Sequence, residues 1–271
     1  MKNVIITGGL GNQMFQYALV LALRNRGFKV KMDISYYGFL QMHNGYELKR
    51  VFGINEPVKD SQGLHMYWLR TIFKFKPKYL FYKDCCFFDE KILKSPSKYL
   101  YGYWQDERYF KEISETIRKA FQFPHMDSVN ANLAEEMTNC NSVSLHIRRG
   151  DYAEFGMNIL EKDYYSDAVK KITQNVKNPF FYIFSDDQQV AKEIAEYLKI
   201  PYQIINNNQG QESYKDIYLM SHCHHNIIAN SSFSWWAAWL NTNYDKIVIS
   251  PKTWSKRSPI LKPQVSDWIL L

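Results

Sequence analysis

The stretch Ser144–Tyr152, SLHIRRGDY, gathers the residue types best suited to chemistry. Val143, Leu145 and Ile147 alternate with Ser144, His146 and Arg148, the period-two pattern of a strand. Gly150 permits a sharp exit. His146 and Arg148 then share one face, and Arg149 adds a second positive charge at the strand's carboxyl end, where α/β sheets bind ligands. Two guanidiniums beside a polar turn suit a diphosphate, because the planar fork meets phosphate oxygens in pairs and keeps its proton. A strand end with solvated arginines is the plainer alternative. A third reading makes Arg149-Gly150-Asp151 a cell-adhesion tripeptide, which requires an exposed loop tip on a secreted protein. Nothing else in the sequence points to secretion, and phosphate recognition is the stronger reading.

Two further clusters fall at the carboxyl ends of predicted strands. Strand Phe180–Phe184 runs into Ser185-Asp186-Asp187 and a helix over Gln188–Leu198. The acidic pair resembles a metal site, but neighbours on an extended chain point apart, and hydrogen bonding to a base or sugar is preferred. Strand Asn226–Ala229 turns at Asn230-Ser231-Ser232 into helix Phe233–Leu240, whose free amides, dipole and hydroxyls, Ser234 included, favour an anion. Simple N-capping accounts for the same serines. His222-Cys223-His224-His225 invites a zinc reading, yet consecutive residues cannot all face one ion and no second ligand cluster is evident.

Near the amino terminus, strand Val4–Thr7 precedes a turn, Gly8 to Gln13, and a helix with Phe15, Ala18, Leu19, Ala22 and Leu23 on its buried face, stopped at Gly27. Strand Phe28–Met32 then ends at Asp33. This order imitates a dinucleotide-binding fingerprint and keeps a nicotinamide-dependent oxidoreductase as a rival. The third glycine is missing, however, and Met14 would block close helix–strand packing. The better reading is a turn in which Gly11, Asn12 and Gln13 bring bare backbone and amides to a ligand.

The elements needed to position these groups follow in sequence. Residues 36–100 carry little pattern, although Leu69–Lys83 interleaves basic and aromatic residues as a membrane-touching face or an ordinary solvated one would. Tyr101–Gln105 leads into a helix that Asp106 caps, with Ile113, Ile117, Ala120 and Phe121 buried. Pro124 and the polar stretch Asp127–Asn132 mark a domain boundary. Beyond it lie strand Val143–Ile147, a helix near Tyr164–Val176 capped by Asp163, strand Tyr202–Ile205, a helix to about Ser221, and a closing strand Lys246–Ile249. This alternation predicts a parallel, doubly wound sheet.

The bulk numbers agree. The chain's 271 residues, 46% hydrophobic, suffice for one large or two ordinary domains. Aromatics, with 20 Tyr and 17 Phe, are as usual in cores as in sugar-stacking sites. A net charge of +7 is too dispersed for nucleic acid and favours small anions or an anionic membrane surface. No apolar run reaches membrane-spanning length, and the start of the chain has no signal-peptide pattern. Of the four cysteines Cys85 and Cys86 are adjacent and Cys140 and Cys223 isolated, which makes no disulfide framework, so a cytoplasmic location is expected.

Gly8–Ala18 (GGLGNQMFQYA), Gly102–Gln105 (GYWQ), His146–Tyr152 (HIRRGDY), Phe184–Asp187 (FSDD) and Ile228–Leu240 (IANSSFSWWAAWL) occur in that order. In this the chain resembles the bacterial α-1,2-fucosyltransferase family, glycosyltransferase family 11, over nearly its whole length. The segment Ser250–Trp254 departs slightly from the family's run, away from every residue proposed for the site. The resemblance implies an α/β, GT-B-like protein with two Rossmann-like domains facing a cleft, 1–125 on the acceptor side and 126–271 holding GDP-β-L-fucose. It implies inverting transfer of fucose to the 2-hydroxyl of a terminal galactose on an oligosaccharide or lipid-linked glycan, without metal or other cofactor. Peripheral association with the inner membrane face is compatible with such an acceptor. Carried over by motif, Arg148 binds the diphosphate, His146, Arg149 and Asn12 shape the donor site, and Asp186 or Asp187 contacts base or fucose. Asp151 is the preferred general base, ahead of Glu154 and Asp33, with an exposed turn acid as the alternative.

Overall fold

A computed structural model describes residues 1–38, 43–56, 58–59, 81–83, 87–149, 160–255 and 261–271. The chain divides into two compact units, Met1–Pro124 and His125–Leu271. In each, the described strands run parallel in one sheet, with helices returning between them. Each half is thus a Rossmann-like α/β unit, as the resemblance implies for both and as the alternation of strand and helix patterns predicts for the second.

The first unit begins with β1 (Lys2–Ile5), α1 (Leu10–Asn25) and β2 (Val30–Asp33). Leu10, Met14, Phe15, Ala18, Leu19, Ala22 and Leu23 recur every three or four residues along α1, and all are buried. Gly27, at φ 84°, stops the helix by donating to the Arg24 carbonyl, as expected. β1 lies about two residues earlier than its predicted span. The Ile6 amide still donates to Asp33, but the Thr7 amide already donates to the Gln16 side chain, so ladder pairing ends there. α1 also starts early, which puts Gly11, Asn12 and Gln13 in its first turn rather than in a loop. Helices α2 (Leu48–Phe52) and α3 (Ser114–Ala120) and strands β3 (Val58–Lys59), β4 (Phe81–Lys83) and β5 (Tyr99–Tyr101) complete the described unit. The sheet order is β3-β2-β1-β5-β4. The helix expected from Asp106 is broken. Asp106 caps only a 3-10 turn, Glu107–Tyr109, a second covers Lys111–Ile113, and regular helix waits until Ser114.

The second unit runs α4 (Ser128–Thr138), β6 (Ser142–Ile147), α5 (Lys162–Thr173), β7 (Phe180–Ser185), α6 (Gln188–Leu198), β8 (Tyr202–Ile205), α7 (Tyr214–His222), β9 (His225–Ile227), α8 (Ser232–Leu240), β10 (Val248–Ser250) and β11 (Ile269–Leu270). The polar stretch Asp127–Asn132, read with Pro124 as marking a domain boundary, lies just past the division at Pro124 and is the capped start of α4, because the Asp127 carboxylate accepts the Asn130 amide at 3.0 Å. Asp163, expected as a cap, lies within the first turn of α5, with Glu161 at the cap position. β10 is not the last strand, since β11 pairs beside it.

The sheet order is β11-β10-β9-β6-β7-β8. The chain lays β7 and β8 on one side of β6, then returns to place β9 on the other. The carboxyl ends of β6 and β9 therefore flank the point where winding reverses, the usual ligand crevice of such sheets. The core beneath is Val143, Leu145, Ile147, Phe181, Ile183, Ile227 and Ile249 under Tyr165, Ala168, Ile172, Ala191 and Ile194. Among the described residues no helix is long and apolar enough to cross a membrane. Of Leu69–Lys83 only the backbone of β4 lies within them.

Candidate active site

His146, Arg148, Arg149, Asp186, Asp187 and Asn230 to Ser234 all lie at neighbouring strand ends of the second sheet. Parallel pairing of β6 with β7 sets His146 opposite Phe184 and Ile147 opposite Ser185. His146 is buried, its Nδ1 2.9 Å from Ser234 Oγ and its ring tilted against Phe233 at a 6.0 Å centroid separation. Burial, then the Arg148 charge, holds its imidazole well below the usual range, with Asp186 opposing. It is a neutral hydrogen-bonding group that ties β6 to the start of α8. Ser234 is fully buried, whereas Ser231 caps α8 by accepting the Phe233 amide, 3.3 Å. Ser232 is the first helical residue and half-buried.

The tryptophans of α8 are its anchor. Trp235 and Trp236 are fully buried and edge-on at 5.0 Å, and Trp235 Nε1 donates to the Pro263 carbonyl, 2.6 Å. Asn230 donates to the Trp254 carbonyl at 3.0 Å. The 250–254 segment, set apart from the site by sequence, therefore holds a proposed site residue through its backbone. Sequence comparison of side chains gives no signal of a backbone contact.

Arg148 Nη1 lies 3.0 Å from Asp186 Oδ2, and the Arg149 amide donates to Asp186 Oδ1 at 2.9 Å. One carboxylate thus grips both residues where the chain leaves β6. Asp187 points elsewhere, as neighbouring residues on extended chain must, and caps α6 by accepting the Val190 amide at 3.1 Å. Tyr165, which sequence reading did not single out, is buried beside this pair. Burial raises its phenol far above neutrality, the Arg149 charge opposes, and Asp186 adds to the rise. Its sequence signal was only helical periodicity.

A second constellation forms at the carboxyl ends of β1 and β5. Gly8 takes φ 79°, and a Cβ there would stand 2.8 Å from Asn12 Nδ2, so only glycine fits. Asn12 Oδ1 accepts the Gln105 amide at 2.7 Å, which joins the GGLGNQ and GYWQ segments. Gln13 is fully buried. Its amide donates to the carbonyls of Gly8 and Gly45, and its Oε1 accepts the Glu47 amide. Gly11 is buried in the same helical turn. Asp33 is buried and accepts the Ser35 amide, and Met14 fills the place of the absent third glycine.

The His222–His225 run is absorbed by the fold. His222 Nδ1 meets the Tyr218 carbonyl, His225 Nδ1 accepts the Ile247 amide, and Cys223 is buried. Among the described residues no group of three or more His, Cys, Asp or Glu could hold a metal ion. Gly150, Asp151 and Glu154 lie outside the described residues.

The family model described as Glycosyl transferase family 11 matches residues 1–269. An Alpha-1,2-colitosyltransferase of Escherichia coli is 33% identical, over 97% of this chain and 96% of its own. The O-antigen biosynthesis glycosyltransferase WbnK of Escherichia coli is 32% identical, over 98% of this chain and 99% of its own. Galactoside alpha-(1,2)-fucosyltransferase 1 of Rattus norvegicus is 25% identical over 86% of this chain and 61% of its own. Among solved structures, fucosyltransferase NodZ from Bradyrhizobium superposes with a TM-score of 0.50 at 13% identity, covering 87% of this chain and 91% of that one. An Arabidopsis thaliana FUT1 structure gives 0.51 at 11%, covering 92% and 70%. These share the fold, a GT-B-like pair of Rossmann-like units. The match of one family model to almost every residue, with two relatives above 30% identity along their full length, shows that the chain belongs to glycosyl transferase family 11.

Proposed function

We propose that the protein transfers L-fucose from GDP-β-L-fucose, with inversion, to the 2-hydroxyl of a terminal galactose. The carrying observation is Arg148, fixed by Asp186 at the strand end beside the start of α8. As the bond to the leaving group breaks, negative charge grows on the diphosphate. A guanidinium and a helix start aimed at that charge stabilise it more in the transition state than before it. This reading needs no metal.

In it Arg148, Arg149, Ser231 and Ser232 meet the diphosphate. His146 and Ser234 hold α8 in place, Asp186 sets the arginines, and Asp187 and Asn230 fix the loops around the donor. Asn12 with Gln105, above the buried Gly11 and Gln13, forms the acceptor side. The colitosyltransferase relative supports a second donor, GDP-colitose, whose sugar is fucose lacking the 3-hydroxyl. The experiment offers GDP-fucose, GDP-colitose, GDP-mannose and UDP-galactose with galactose-terminated acceptors, with and without chelator, and determines the product linkage by NMR. A 2-linked α-fucoside formed in chelator is expected. Transfer from GDP-colitose alone would replace the donor, and a reaction abolished by chelator and restored by Mn²⁺ would end the metal-free reading.

A further inference from the structure

The first turn of α5 carries two adjacent tyrosines that no role above uses, and between them they reach both groups of strand ends at the proposed donor site. Tyr165 is buried beside Arg149 and Asp186, where the chain leaves β6 and β7. Tyr164 reaches the other way. Its hydroxyl donates to the Ile228 carbonyl at 2.6 Å, with the Ile249 carbonyl 3.3 Å away. We infer that Tyr164 is a positioning residue, whose hydroxyl sets where residues 230–232 present the start of α8 to the departing diphosphate. The inference rests on the donor reading above.

The reason lies in Pro251. β9 and β10 run parallel, with Asn226 opposite Val248 and Ile227 opposite Ile249. Asn226 and, just past the strand's end, Ile228 turn their main-chain groups towards β10. The Asn226 amide donates to the Ile247 carbonyl at 3.0 Å, and the Ile228 amide to the Ile249 carbonyl at 2.9 Å. The next rung in this register would run from the amide of residue 251 to the Ile228 carbonyl. Residue 251 is proline and has no N–H to give. Ile228 is buried, and a buried carbonyl needs a donor from somewhere. The Tyr164 hydroxyl supplies it. Burial, with Tyr165 adding, raises its phenol well above the ordinary value, so at neutral pH it keeps the proton it donates.

Two residues on, the Asn230 side chain donates to the Trp254 carbonyl at 3.0 Å, and Ser231 then caps α8. The exit from β9 is therefore held at Ile228 by α5 and at Asn230 by the segment after β10. With the phenol gone, one of these two holds is released, and the amides and hydroxyls of 231 and 232 move with the chain that carries them. A donor displaced from a developing charge costs rate even where binding survives.

The test measures sugar transfer by the full chain to a galactose-terminated oligosaccharide, from GDP-fucose or GDP-colitose at saturation. Wild type is compared with Tyr164→Phe, Pro251→Ala and the double variant, with rates taken per folded molecule below every melting temperature. Tyr164→Phe keeps the ring and is expected to lose ~10–10²-fold in kcat. A residue that only stabilises the fold would lower the melting temperature and leave this rate alone. Pro251→Ala returns an N–H at the rung the tyrosine serves. In the double variant it should restore most of the lost kcat, and alone it should stay within a few-fold of wild type. A kcat for Tyr164→Phe within a few-fold of wild type, or a loss that Pro251→Ala does not mend, would overturn the inference. Should Tyr164→Phe fail to fold, the double variant decides, since it must then fold and turn over near the wild-type rate. A wild type that consumes no GDP-sugar would instead overturn the transferase reading, and the inference with it.

Discussion

Arg148 shows how much one side chain's role depends on its partner. Its guanidinium is both a charge and a planar fork, and Asp186 occupies part of that fork at 3.0 Å. In the proposed role the guanidinium would then meet the diphosphate in a fixed plane rather than by search. Arg148→Ala should lose about 10²–10³-fold in kcat, the scale of removing one donor aimed at a developing anion. Arg148→Lys should recover little, because the charge returns without the fork. Steady-state kinetics at saturating donor decide the matter. A raised donor KM with normal kcat would mean that donor and transition state are held equally.

At the scale of elements, the strand ends were readable because their residues carry chemistry in side chains. Alternation in 143–147 and the apolar spacing of α1 and α8 mark buried faces that any core would require. The short strands β3, β4, β5 and β11, of two or three residues, show no period long enough to detect. Asp127 follows the boundary at Pro124, and that it caps α4 shows only once the Asn130 amide is seen on it. Gln13 and Asn230 act on backbone groups, which have no sequence signature. The same seam yields a pH prediction. Asp127 pairs with Lys215, and Asn130 and Asn208 bond across from α4 to the loop before α7. Burial pushes the Asp216 carboxyl up to about 7, although the Asn208 amide donates to it at 2.8 Å. The folded protein then keeps a proton that the unfolded chain has lost, so this group's contribution to stability falls as pH rises from about 4 to about 7. Asp216→Asn should remove that slope, leaving melting temperature unchanged near pH 4 and higher above pH 7. Melting curves across that range measure it.

The whole molecule is bound by mass action to whatever its native state holds. GDP should raise the melting temperature in proportion to the logarithm of its concentration above Kd, while NAD should leave it unchanged. Thermal shift titrations with each nucleotide check this, and a shift with NAD would return the buried Asp33 to consideration as a ribose contact. The described strands offer something further. Every described strand of the first sheet precedes Pro124 and every one of the second follows it, so neither sheet borrows from the other half of the chain. The boundary between two sets of contacts is then also a point at which the coding sequence can be cut. Residues 1–124 joined to the matching second half of the colitosyltransferase relative should fold and keep this chain's acceptor while taking the relative's sugar, as competition between the two GDP-sugars would reveal. If the two halves hold the roles proposed for them, one crossover would alter which sugar a glycan receives and leave untouched where it is placed.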